Sequence, residues 1–215
     1  MGTGRLEAFS DGVIAVAITL LVLNIHVEPG PGESLAHALG HLWPVFAAYV
    51  TSFLTIGIVW INHHAMLSRL READHALLVL NLLLLMTIVI LPFATELIAR
   101  YLQASSGQHT AAAVYAGAFL LMAVTFSLVN HHILIRRADL LVNPIELAER
   151  RMILRRALTG VIPYAVATAL AAVSPYATLA VTAGLAVFYA AAVDQRRVGG
   201  PPLGSVTYLG DGLMV

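Results

Sequence analysis

The chain contains no cysteine, and its 12 basic residues are all arginine. The first absence removes disulfides, thiolate catalysis and Cys-based zinc or iron–sulfur sites. The second removes Schiff-base chemistry on lysine. Charge of either sign is scarce, at 11% of residues beside 59% hydrophobic ones, against roughly 25% charged in soluble domains. So few charges cannot cover a water-facing surface, and the composition reads as an all-α integral membrane protein. Acidic and basic residues balance to a net charge of zero, which leaves bulk attraction to nucleic acid without support. No GxGxxG, Walker-type, GxSxG or HExxH string is present, so nothing points to a nucleotide fold, a serine hydrolase or a zinc protease. The chain is not expected to be an enzyme.

What is abundant is apolar sequence. Crossing a bilayer core takes about 20 apolar residues in a helix. Six stretches qualify, at roughly 6–26, 42–63, 76–98, 111–130, 157–173 and 176–193. The joints are polar or carry helix breakers: EPGPGES, SRLREAD, QASSGQH, the long RRADLLVNPIELAERRMILRR, and SPY. The fifth and sixth stretches form a tight hairpin at Ser174 and Pro175, and the long fourth joint has room for an amphipathic helix on the membrane surface. Pro92 and Pro163 are expected to kink their helices. Met1 to Gly4 is expected to be too short for the basic region of a cleavable signal. The organisation expected is one six-helix repeat over 1–195 and a disordered cytoplasmic tail over 196–215.

Arginine sets the orientation. Arg5, Arg69, Arg71, Arg136, Arg137, Arg150, Arg151, Arg155, Arg156, Arg196 and Arg197 fall on one side of a six-span chain, and only Arg100 on the other. Positive residues stay inside, so both termini are expected in the cytoplasm, with the protein in the cell membrane.

The first span is the most informative, because Arg5, Glu7, Ser10 and Asp11 stand in its opening turns, and intramembrane charge marks a functional or assembly site. At about 100° per residue, with Val16 at zero, Leu20 projects near +40°, Leu23 near −20° and Thr19 near −60°. Ser10 and Asp11 point elsewhere, near +120° and −140°. The apolar stripe is open between ordinary helix packing and the lining of an ion path. Asp11 and Arg5 are open between a proton relay or ion site and a buried pair holding helix ends together, and Trp60, His63, His64 and Asn81 lie at a depth to partner the carboxylate. Glu96 is open between an outer vestibule and the headgroup region. Trp60-Ile-Asn-His-His64 is echoed by Leu128-Val-Asn-His-His132. Adjacent histidines on a helix diverge by about 100°, so hydrogen bonding suits these pairs better than metal ligation. No cofactor and no metal are expected.

Arg5-Leu-Glu-Ala-Phe9-Ser10-Asp11-Gly, followed by Ile14-Ala-Val16-Ala-Ile-Thr19-Leu20-Leu-Val-Leu23, resembles the first helix of the transmembrane protein 175 family, endolysosomal potassium channels of animals and their bacterial homologues. The likeness continues at Trp60, His63 and His64, at Leu80-Asn81-Leu82-Leu83 and at Pro92-Phe93, and covers about residues 1–195. It implies a potassium-permeable channel without a TVGYG filter, a string absent here. It also implies a homotetramer in lipid, with four first helices around the pore and K⁺ as permeant ion. By resemblance, Val16, Leu20 and Leu23 form the apolar constriction and Thr19 the selectivity ring. Arg5, Phe9, Ser10 and Asp11 brace the helix from its outer face. Val16 departs from the usual Ile or Leu by one methylene. The competing class is a proton-coupled secondary transporter working through Asp11 or Glu96. Such a protein is expected to show interrupted helices at mid-membrane, whereas the middle of this first span is apolar.

Overall fold

Leu, Val, Ile and Ala runs with few charges fold as helices because a bilayer offers backbone groups no hydrogen-bond partner. The computed structural model describes residues 2–198 apart from Glu28 and Gly30, with side chains to residue 191, and its described residues are helical apart from the joints. In chain order the helices are α1 Thr3–Leu20, α2 Leu35–His41, α3 Trp43–Leu67, α4 His75–Val89, α5 Leu91–Tyr101, α6 Gln108–His131, α7 Leu147–Thr159, α8 Val161–Leu170 and α9 Pro175–Val198. A 3₁₀ turn, Leu21–Asn24, extends α1, and a π-helical turn, His132–Arg136, extends α6.

Five helical segments are long and apolar enough to cross a membrane: Thr3–Asn24, Trp43–Leu67, His75–Tyr101, Gln108–Arg136 and Leu147–Leu170. The sixth expected span corresponds to α9, whose described apolar stretch, Pro175–Ala191, is shorter. The fifth begins earlier than expected, because α7 runs through Gly160 directly into α8. The first joint holds a helix the apolar pattern did not predict, α2, capped by Ser34 accepting from the His37 amide. The tail expected over 196–215 starts inside α9, and residues 199–215 lie outside the described residues.

Proline interrupts two spans as expected. Pro92 opens α5 just past a break at Ile90, and Pro163 lies in the first turn of α8 past a break at Gly160. The last hairpin turns at Ser174, whose hydroxyl accepts from the Ala177 amide at the start of α9.

α6 is the centre of the bundle and packs on α4, α5, α7, α8 and α9. Phe119 stacks on Tyr164 of α8 with ring centroids 5.6 Å apart, and Ile56, Leu77, Leu84, Ile88, Leu91 and Ile98 are fully enclosed around it. Lipid is as apolar as leucine, so short polar bridges join the helices, each contributing about 0.6 kcal/mol. Ser52 of α3 meets Thr95 of α5 at 2.7 Å and Tyr115 of α6 at 3.3 Å. α1 lies at the edge and packs mainly on α3 and α4.

Candidate pore-lining helix and its polar anchor

Steps of four, four, three and four residues carry Leu6, Ser10, Ile14, Ala17 and Leu21 along one side of α1, and all five are buried. The other side has no partner among the described residues. Val16 is 57% exposed, Leu20 38% and Leu23 64%, with Gly12 and Thr19 exposed beside them. The structure therefore keeps the expected stripe together and off the core. The Thr19 hydroxyl donates to the Val16 carbonyl at 2.9 Å, which directs its hydrogen along the helix and leaves its oxygen lone pairs open.

The 3₁₀ turn alters one projection. Residues three apart eclipse each other in a 3₁₀ helix, which rises about 2 Å per residue. Leu23 thus stands above Leu20 near +40° rather than near −20°, about 12 Å beyond Val16 along the axis.

Polar residues in the opening turns of α1 need partners, since an unpaired polar group in this setting costs several kcal/mol. Three bonds reach α3 and α4. The Ser10 hydroxyl donates to the Leu6 carbonyl at 2.8 Å and accepts from Asn81 Nδ2 at 3.0 Å. Asn81 Oδ1 in turn accepts from His63 Nε2 at 2.8 Å. Ser10, His63 and Asn81 are all fully buried. Asp11 Oδ1 accepts from the Trp60 indole N–H at 2.9 Å, and Glu7 Oε1 meets His64 Nδ1 at 2.6 Å. Trp60 and His64 of α3 thus bind α1 directly, and His63 reaches it through Asn81 of α4. The two histidines diverge as their spacing requires, one to Asn81 and the other to Glu7. His63 Nδ1 is the one enclosed side-chain nitrogen or oxygen without a hydrogen-bond partner among the described residues.

The structure separates the four motif residues that the resemblance grouped as braces. Ser10 and Asp11 face the bundle. Arg5 and Phe9 project near −20° and +20° at 100° per residue, on the Val16 side, and both are exposed. Neither makes a side-chain hydrogen bond or ion pair among the described residues. Glu7, named in the sequence only as an opening-turn charge, is a further brace, one helical turn before Asp11 and on the same side. Projecting Glu7 with Ser10 and Asp11 would have found it.

The echo of the histidine motif has a structural counterpart. Asn62 and Asn130 each donate to the carbonyl four residues back, at 2.9 and 3.0 Å. His64 binds Glu7 near the start of α1, and His132 binds Asp74 at the start of α4, at 3.2 Å. Asp74 also accepts from the Leu77 amide at 2.8 Å and from Arg137. Burial pushes the Asp74 carboxyl up, but these donors outweigh it and hold the group below its ordinary 3.8. At the other end of the bundle Glu96 pairs with Arg100, one turn on, at 2.7 Å on an exposed face.

A bundle of membrane-length helices, with its first helix latched at one end by polar bonds and apolar along a face exposed among the described residues, defines a multi-pass membrane protein. The profile of the endosomal/lysosomal potassium channel TMEM175 matches residues 5–92, the part that holds the latch and the stripe. A potassium channel of Streptomyces collinus is 44% identical over 189 residues, 87% of this chain and 91% of the relative. A potassium channel of Chamaesiphon minutus is 40% identical over 87% of this chain and 93% of its own length. The crystal structure of a lysosomal potassium-selective channel TMEM175 homologue from the same organism superposes with a TM-score of 0.77, at 39% identity, over 88% of this chain and 97% of that one. The chain belongs to the TMEM175 family, a family of ion channels.

Proposed function

We propose that this chain is one subunit of a potassium-permeable channel, and that four copies place α1 around a central axis. The observation that carries the reading is the two-sidedness of α1: polar and apolar groups are satisfied on the side toward α3 and α4, while Val16, Leu20 and Leu23 form an unpartnered apolar column on the other. Repeated around an axis, those side chains form stacked apolar rings that gate by dewetting, and weak binding at successive sites permits conduction. The Thr19 oxygen, with its hydrogen committed to Val16, would replace part of the water a cation sheds. The relatives' function supports K⁺ as the ion that passes.

In the same reading α9 is the sixth span, both termini are cytoplasmic, the membrane is the cell membrane, and lipid and the other subunits are the lasting partners. Trp60, His63, His64 and Asn81 hold α1 in register for assembly. A proton carrier working through Asp11 or Glu96 has less support, because Glu96 is committed to Arg100 and Asp11 to Trp60. Single-channel recording of the purified protein in planar bilayers tests the proposal. Unitary K⁺ current steps are expected. Saturable, coupled flux without unitary steps would replace the channel with a carrier.

A further inference from the structure

We infer that Glu33, His37 and His41 form a binding site for a divalent transition ion of the zinc class. The site lies on the joint between α1 and α3, away from the stripe and its latch. Histidines four apart on a helix share one face, and this is the spacing with which helical zinc motifs present two imidazoles to one ion. Gly32 adopts φ +79°, a left-handed turn natural to glycine, and Ser34 then caps α2. These two features set Glu33 one turn before His37.

The side-chain geometry adds to the spacing. His37 Nε2 and His41 Nε2 lie 3.2 Å apart. Two nitrogen ligands of a tetrahedral zinc at about 2.0–2.1 Å stand about 3.3–3.4 Å apart, so the ring nitrogens already hold nearly the separation an ion would impose. Glu33 Oε1 contacts His37 Nδ1 at 2.6 Å. That contact keeps the proton on Nδ1 and turns the Nε2 lone pair toward His41, which is the carboxylate–histidine–metal arrangement that raises ligand basicity. One ligand atom from each of the three residues lies within 4.8 Å of the others, so the carboxylate can also shift into direct contact. In the metal-free form His41 Nε2–H donates to His37 Nε2. Binding moves that proton to His41 Nδ1 through solvent and leaves two lone pairs aimed at one point. Both rings are exposed, so an ion can enter with water completing its shell. Two imidazoles and a carboxylate suit zinc, nickel or copper rather than magnesium or calcium.

The test uses the full-length, tag-free protein in detergent and ZnCl₂ as titrant in a non-chelating buffer, followed by calorimetry. One saturable equivalent per chain is expected. His37→Ala and His41→Ala should each weaken it by at least tenfold, and Glu33→Gln by about tenfold, as expected for loss of an outer partner. His75→Ala, an exposed histidine elsewhere, should leave the titration unchanged. Cobalt(II) should give tetrahedral visible bands that both His37→Gln and His41→Gln abolish, with circular dichroism confirming that these variants stay folded. Equal titrations in the native chain and the His37→Ala/His41→Ala double variant would overturn the site and leave an exposed hydrogen-bonded row on α2.

Discussion

His63 and Asn81 stand on different helices, 18 residues apart, and meet at 2.8 Å where neither has accessible surface. Asn81 uses its other end on Ser10, so one amide joins α3 to α1 while sitting on α4. Replacing Asn81 by Leu strands the buried His63 ring and takes from Ser10 one of its two hydrogen bonds. A stranded buried group costs about 1–3 kcal/mol, and the variant should lose several degrees of thermal stability in detergent, followed by size exclusion after heating. The double variant His63→Leu/Asn81→Leu should be less damaged than the sum of its parts. Strictly additive losses would show that the pair is not coupled.

Asp11 is half-buried and accepts from Trp60, off the apolar stripe. Asp11→Ala and Trp60→Phe should each lower the yield of assembled protein, with a shared coupling of about 1 kcal/mol for one partly exposed, charge-assisted hydrogen bond. Relative K⁺/Na⁺ permeability should move little in whatever assembles. A collapse of that ratio with full assembly would put Asp11 in the permeation path.

The carboxyl of Asp74 is held low by Leu77, His132 and Arg137 against the opposing effect of burial. A carboxylate whose folded value lies below its unfolded one adds stability that is complete above the unfolded value and disappears as pH falls through the folded one. Stability of the native protein should therefore fall with acidification below about pH 4, the range of a free aspartate. Asp74→Asn should be less stable at neutral pH and should flatten the acid limb. It keeps a capping oxygen, so the neutral loss should stay below the roughly 2 kcal/mol of a lost helix cap. Parallel acid limbs in the two proteins would assign the pH dependence elsewhere.

Val16 is exposed on the Thr19 side of α1, and its carbonyl holds the Thr19 hydroxyl. Val16→Asn should wet the apolar column, raise K⁺ conductance and weaken discrimination against Na⁺, whereas Val16→Ile or Val16→Leu should keep or tighten closure. Thr19→Val should also reduce selectivity, because it removes the hydroxyl and keeps the shape. Reversal potentials under bi-ionic K⁺/Na⁺ conditions read all four variants. An unchanged potential and conductance in Val16→Asn would remove α1 from the path.

Legibility in the sequence followed physical strength. Proline breaks and the Ser174–Pro175 hairpin are dictated by backbone chemistry and stand where expected; apolar length places the first four spans, while the fifth begins earlier and the sixth apolar stretch is shorter. Trp60, His63, His64 and Asn81 were recognisable as partners because they share a depth with Ser10 and Asp11. The directions of Arg5 and Phe9 were hidden by treating the motif as one unit, although its residues point to both sides of the helix. The 3₁₀ turn at Leu21–Asn24 has no signal in an unbroken apolar run. α2 was obscured by the Gly/Pro-rich stretch before it, and the His37–His41 spacing was overlooked beside the more conspicuous adjacent pairs.

α1 is fastened at two heights to one broken helix. Near its start Ser10 is bound to Asn81 of α4, and at its end Asn24 donates to the Pro92 carbonyl of α5 at 3.0 Å. The break at Ile90 lies between those fastenings. A change of bend there alters the span that α1 must bridge, and its 3₁₀ turn is the segment with travel to give. Converting those four residues to α-helical winding shortens α1 by about 2 Å and swings Leu23 by about 60°. In the channel proposed above, the joint and the turn would act as hinge and crank, a bend at Ile90 turning Leu23 relative to Val16.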